Sequence, residues 1–91
     1  MQYYLIEWQH EEPDEPWQLY LELDDQGHLL RKVESYRFGL SEPSEIKNGP
    51  CVDPRQLAGE SGFISSLYPS QFQDLWERCR ELPSNFMELY F

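Results

Sequence analysis

Residues 8–24 read W-Q-H-E-E-P-D-E-P-W-Q-L-Y-L-E-L-D, and this stretch decides how the chain folds. In its second half every other residue from Trp17 to Leu23 is apolar, which is the period of a half-buried β-strand. Its first half is acidic and contains two prolines, which cannot donate a backbone hydrogen bond to a strand ladder. We therefore predict an acidic connection between two strands.

The residues on either side of this stretch also carry strand patterns. Side chains alternate between two faces over residues 2–10. Residues 24–27 (Asp-Asp-Gln-Gly) are typical of a tight turn, after which a β-like run resumes. We expect three strands, at about 2–10, 17–24 and 28–37.

The middle of the chain is rich in prolines and other turn residues. Residues 42–62 are therefore predicted to be mostly loop. Structureless loops longer than about 12 residues are uncommon in compact domains, so we expect a helical turn near residues 54–58. A short fourth strand at residues 38–41 and an extended piece at residues 63–68 also fit the pattern.

A helix is predicted over residues 70–82. Ser70 and Gln73 form a capping box, and one stripe of the helix is apolar. We expect Pro83 to end it and residues 84–91 to form an apolar tail, which either packs on the domain or makes a homodimer contact. The prediction is one α+β domain over residues 1–91, with a three- to four-stranded antiparallel sheet and the C-terminal helix packed on one face.

The charge balance is strongly acidic, with 7 Lys and Arg against 17 Asp and Glu and a net charge of −10. Residues 1–30 contain no Lys or Arg at all. Nucleic acid is bound through clustered basic residues, so this composition argues against nucleic acid as a direct ligand. The partner that we expect is a basic protein.

The sequence also favours a cytoplasmic location. No run approaches the roughly 18 apolar residues of a membrane span, and the first residues lack the basic and apolar regions of a signal peptide. Without an export signal, Cys51 and Cys79 are expected to be reduced. We expect no membrane contact.

The opening stretch resembles the N-terminal part of a small, uncharacterised bacterial domain family, a domain of unknown function. The matching residues, in the family's order and spacing, are Trp8 and His10, Asp14-Glu15-Pro16, Leu19-Tyr20, Glu22-Leu23-Asp24 and Arg-Lys-Val-Glu at 31–34. Phe72 and Trp76 are similar to aromatic residues of the family's C-terminal helix. The family commonly has Arg-Asp-Gly after the third strand where this chain has Arg37-Phe38-Gly39. The resemblance implies a small bacterial domain and brings no known activity.

The acidic connection and the following turn supply the candidate partner-binding residues. Acids would steer a basic partner, and a neighbouring aromatic side chain would serve as the apolar anchor. The acids are Glu11, Glu12, Asp14, Glu15, Asp24 and Asp25, and the anchor is Trp17 or Tyr20.

Three other kinds of chemistry have candidate residues in the chain. Asp14, Glu15, Glu22, Asp24 and Asp25 offer oxygen ligands for Ca²⁺ or Mg²⁺ but lack the spacing of an EF-hand. His10, His28, Cys51 and Cys79 offer zinc ligands without the paired spacing of a zinc site. His10 with Asp14 or Glu15 is the one arrangement that suits acid–base catalysis. Solvated acids, a buried thiol and a histidine bonded to a turn are the commoner roles, so we predict no metal, cofactor or catalytic residue.

These features predict a small acidic protein-binding domain that is not an enzyme, of the immunity or antitoxin type that inhibits a basic bacterial protein. The first alternative is an acidic mimic of nucleic acid that blocks a nucleic-acid-binding protein. The second is a divalent-metal site or a small hydrolase at the acidic connection.

Overall fold

The computed structural model of the protein describes residues 1–10, 12, 14–36, 39 and 41–90, with the backbone alone described for 80–90. The strands are β1 (Gln2–Glu7), β2 (Gln18–Leu23), β3 (Leu29–Ser35), β4 (Ser41–Glu45) and β5 (Phe63–Ser66). The helices are α1 (Pro54–Ala58) and α2 (Pro69–Tyr90). The three predicted strands and the helical turn at 54–58 all correspond to elements of this fold.

The five strands form one antiparallel sheet in the order β4-β3-β2-β1-β5. The α+β class is confirmed, and the predicted count of three or four strands is wrong. The two strands beyond the three predicted ones, β4 and β5, lie at the edges of the sheet. There one side of the strand and much of each face are exposed to solvent. Edge strands need no regular apolar alternation, and β4 (S-E-P-S-E) and β5 (F-I-S-S) have none.

Apolar side chains pack on both faces of the sheet. On one face Ile6, Leu21, Leu23 and Leu29 form a buried cluster with Ala58 of α1. On the other face the buried cluster comprises Val33 of β3 and Phe72, Trp76 and Cys79 of α2. The apolar stripe predicted for the C-terminal helix therefore covers the sheet, and the opposite face has its own cover in α1.

Helix α2 continues past the residue predicted to end it. It runs from Pro69 to Tyr90, so Pro83 does not terminate it, and residues 84–90 are helical where a tail was expected. A proline removes one amide donor from a helix, which weakens it without having to end it. Within the described part of the chain, no helix is long and apolar enough to cross a membrane.

An ion pair between the buried Glu22 and the half-buried Arg31 joins the sheet to α2. Arg31 Nε and Nη2 each donate to Glu22, over 2.7 Å, and Tyr3 Oη donates to the same carboxylate over 2.8 Å. The guanidinium carbon lies 5.0 Å from the ring centroid of Phe72 and 4.8 Å from that of Trp76. The expectation that Glu22 is a solvated acid is wrong, because α2 covers this face and leaves Glu22 only 4% exposed.

The ion pair makes stability depend on pH. The hydrogen bonds from Arg31 lower the pKa of Glu22 below its ordinary value of 4.5. A lowered folded-state pKa contributes stability that is fully present above the unfolded value and is lost as the pH falls through the folded one. The contribution of Glu22 is therefore present at neutral pH and lost in acid.

We predict that Glu22→Gln lowers the free energy of unfolding by about 3 kcal/mol at pH 7, because it leaves Arg31 without its carboxylate between the sheet and α2. The difference from the wild type should narrow as the pH falls below 4.5, where the wild type loses the same contribution. Urea unfolding followed by circular dichroism over a range of pH measures both effects.

The matched control is Glu42→Gln on β4, where the replaced carboxylate is exposed. This change should alter stability by less than about 0.5 kcal/mol. A Glu22→Gln difference that stays constant with pH would contradict the assignment of the acid sensitivity to this pair.

Candidate functional site

The acidic connection between β1 and β2 is held in place by His10. The backbone N–H of Glu12 donates to His10 Nδ1 over 3.1 Å, so the ring proton is on Nε2, which donates to the carbonyl of Pro16 over 2.9 Å. The N–H of Glu15 donates to the carbonyl of Glu12 and closes a turn. We call residues 12–15 the acidic turn; the carboxylates of Glu12, Asp14 and Glu15 are exposed on it.

Two tryptophans support the acidic turn from the sheet. The N–H of Trp8 donates to the carbonyl of Trp17 over 2.9 Å, which extends the β1–β2 ladder beyond Glu7 and makes the two residues cross-strand neighbours. The indole N–H of Trp17 donates to the carbonyl of His10, and that of Trp8 to the carbonyl of Ala58 in α1. Trp17 thus sits half-buried at the base of the turn.

The structure separates the predicted partner-binding residues into two groups. The acidic turn precedes β2 and Asp24 and Asp25 follow it, so the two groups lie about 20 Å apart at opposite ends of this six-residue strand. Asp24 Oδ1 accepts from the N–H groups of Gln26 and His28, which lower the pKa of this carboxyl. Asp24 therefore has a structural role in the β2–β3 turn, whereas Asp25 is exposed.

The other predicted partner-binding residues are Tyr20, Trp17 and Glu11. Tyr20 packs against the cluster beneath α2, where burial raises its pKa, and its hydroxyl donates to Gln18. Trp17 is the candidate anchor that lies beside the acidic turn. Glu11 lies outside the described residues, so the structure does not place it.

The candidate metal ligands do not come together. Among the described residues, no three His, Cys, Asp or Glu side chains are close enough to hold a metal ion. His28 and Cys51 pair in an isolated β-bridge, whereas Cys79 is buried on the face of α2 that packs on the sheet, and His10 lies beyond the far end of β2. The imidazole of His10 bonds to backbone at both nitrogens rather than to Asp14 or Glu15.

The two edges of the sheet differ in a way that the sequence pattern did not indicate. In β4 the N–H of Ile46 donates to Leu30, so residues 42 and 44 face β3 and Pro43 directs its missing donor outward. Glu42 and Glu45 add exposed charge to this edge. By contrast β5 has no proline and no charge, and Phe63 is 71% and Ile64 37% exposed.

Two clefts reach β5. One, of about 450 Å³, runs across the end of the sheet from Phe63 of β5 to Ser35 and Tyr36 at the end of β3, and it is lined between them by Glu7, Trp8, Gln9, Trp17 and Gln18. The other, of about 440 Å³, lies beside α1 and is lined by Ile64, Ser66, Tyr4, Asp53 and Arg55. The first cleft joins the β5 edge to the tryptophans at the base of the acidic turn.

Comparison with known proteins gives a family match over the strands β1 to β4. The model of a family described as a domain of unknown function, DUF6881, matches residues 2–49, which is just over half of the chain. The chain belongs to this family. The resemblance drawn from residues 8–34 is thereby confirmed at the level of the family, and the DUF6881 match spans β1 to β4. No curated protein and no solved structure matches the chain.

We predict that His10→Ala loosens the acidic turn, because it removes the acceptor for the Glu12 N–H and the donor to the Pro16 carbonyl. Amide hydrogen exchange at Glu12 and Glu15 should accelerate at least tenfold, and the free energy of unfolding should fall by about 1 kcal/mol. Hydrogen exchange measured by nuclear magnetic resonance gives the rate at each amide, and the slowest amides of the core give the free energy of unfolding.

His28→Ala is the control, since His28 contacts Asp24 at the other end of β2. Its effect on exchange should be confined to residues 24–28. If His10→Ala left the exchange of Glu12 and Glu15 unchanged, the role of the imidazole in fixing the turn would be wrong.

Proposed function

We propose that the protein is a non-enzymatic binding domain for a basic protein, of the immunity or antitoxin type that inhibits a basic bacterial partner in the cytoplasm. The observation that carries this proposal is the acidic turn, whose three described carboxylates are exposed beside Trp17 on a backbone fixed by His10. A fixed set of charges next to a half-buried aromatic residue combines electrostatic steering with an apolar anchor.

The pairing of charges elsewhere in the chain supports this choice of site. Arg31 is bonded to the buried Glu22, and Lys32 Nζ lies 2.7 Å from Glu34 Oε1. These two of the chain's few basic residues are therefore engaged with acids within the sheet. The described acids of the turn have no such ion pair, and their field is available to a partner.

The acids are arranged in a way that favours a protein partner over mimicry of nucleic acid. A mimic requires carboxylates in a continuous row at the spacing of phosphates, whereas here the candidate acids divide between the two ends of β2. Asp24 is further committed to its own turn. We therefore assign recognition to the acidic turn alone, and Asp25 contributes only to the long-range field.

The proposal predicts a charge effect that depends on position. Proteins cross-linked to the native domain are identified by mass spectrometry, and the recovered basic protein is purified for kinetics. Its association rate should fall at least tenfold from about 10 mM to about 150 mM salt, as the Debye length shortens from about 30 Å to about 8 Å. Glu12→Lys with Glu15→Lys should lower the rate at low salt by about tenfold or more.

Asp74→Lys with Glu77→Lys is the matched control, because it changes the net charge equally on exposed positions of α2. It should have a much smaller effect on the association rate. If the two double substitutions lowered the association rate equally, the acidic turn would act only through the net charge of the protein and would not be the recognition site. An association rate that does not depend on salt would overturn the proposal. Relief of the partner's toxicity on co-expression tests the immunity role.

A further inference from the structure

The outer edge of β5 has unused hydrogen-bonding capacity. The N–H of Leu67 donates to the carbonyl of Tyr3 over 3.0 Å, which makes this a hydrogen-bonded pair of the β1–β5 ladder. Because such pairs alternate along antiparallel strands, Ser65 and Phe63 also face β1, and the N–H and C=O groups of Ile64 and Ser66 face outward. No described residue continues the sheet beyond this edge.

The opposite edge shows that a free edge is not a general property of this sheet. There Pro43 removes an outward donor and two glutamates add charge, and both devices prevent another strand from pairing. The β5 edge has neither device and instead presents the exposed side chains of Phe63 and Ile64. The contrast makes β5 the edge at which a strand can be added.

The cleft beside Ile64 and Ser66 matches the geometry of an added strand. Phe63 lies opposite Glu7, while Ile64 lies opposite the buried Ile6, so the two residues point to different faces of the sheet. The cleft of about 440 Å³ lies beside this edge at Ile64 and Ser66, whereas the cleft of about 450 Å³ reaches β5 only at Phe63 and otherwise extends inward across β1, β2 and β3. Side chains of an extended peptide alternate in direction, so every second side chain of an added strand would lie over the cleft of about 440 Å³ and the others would lie on the side of Phe63.

Charge decides which occupant suits this edge. A second copy of the chain would bring together two molecules of net charge −10. A basic segment would instead be attracted by that net charge, since the cleft at the edge is locally balanced between Asp53, which caps α1, and Arg55. Repulsion thus opposes self-pairing, whereas attraction favours a basic strand.

We propose that an extended, basic segment of the partner protein binds as a sixth strand along β5, hydrogen-bonded to the backbone of Ile64 and Ser66. This inference rests on the proposed function and specifies how the basic partner is held once the acidic turn has steered it in. Main-chain hydrogen bonds supply affinity in this mode, and the cleft beside Ile64 and Ser66 selects among side chains.

The test uses the full chain and a synthetic peptide of about ten residues that alternates arginine and valine, a length typical of a β-strand. Nuclear magnetic resonance titration should give a dissociation constant below about 1 mM, with the amides of Ile64 and Ser66 gaining at least tenfold protection from exchange. A peptide that alternates glutamate and valine is the charge control and should not bind.

Ser66→Pro removes one outward donor, as Pro43 does on β4, and should weaken peptide binding about tenfold or more. Ser66→Ala retains that donor and should bind like the wild type. If Ser66→Pro does not fold, the same N–H can be replaced by an ester oxygen in a segment synthesised from Cys51 and ligated to residues 1–50. A folded protein that lacks this donor and binds normally would overturn the proposal.

Two further outcomes also count against the added strand. The proposal fails if the peptide does not bind at about 1 mM, or if a concentration-dependent dimer protects Ile64 and Ser66 in its absence. The proposed function is judged separately, from the effect of the Glu12 and Glu15 reversals on the recovered partner. A partner that responds to those reversals but not to Ser66→Pro would leave the function standing and remove only the strand.

Discussion

The attachment of α2 to the sheet depends on the ion pair between Glu22 and Arg31. The pair lies between β2, β3 and the helix, with the aromatic rings of Phe72 and Trp76 against the guanidinium. Two charges are removed from water there, and their cost is offset because Arg31 binds the carboxylate through two donors and Tyr3 adds a third. With α2 fixed in this way, Val33 becomes a core residue and the second face of the sheet is closed.

The elements that bury a regular apolar face were predictable from the sequence. The alternation over residues 17–23 predicted β2, in which Leu21 and Leu23 are buried, and the stripe at Phe72, Trp76 and Cys79 predicted the packing of α2. The count of strands was not predictable in the same way, since β4 and β5 bury little and carry no alternation. The burial of Glu22 was not predicted for a related reason. The two-residue period of a strand shows which face of the sheet a side chain lies on, but it does not show that a helix covers that face.

The candidate site was predictable in its composition and not in its geometry. The acidic turn and Trp17 were identified from residues 8–24, but nothing in that stretch shows that Asp24 and Asp25 lie at the far end of β2. The role of His10 depends on two backbone contacts across the turn, which only the folded chain defines. The free edge of β5 depends on which residues face β1, and that register comes from pairing with a strand some 60 residues earlier.

The strand order also bears on how the chain folds. Strands β1 to β4 pair with their neighbours in sequence, so this meander closes through short loops, whereas β5 joins β1 only after a long connection. Long connections cost more entropy to close, and contacts distant in sequence form more slowly. The meander is therefore expected to assemble first and β5 to join it late. In the native protein the same edge should open most readily, and the hydrogen bond from the indole of Trp8 to the carbonyl of Ala58 holds α1, which contacts β5, against the sheet.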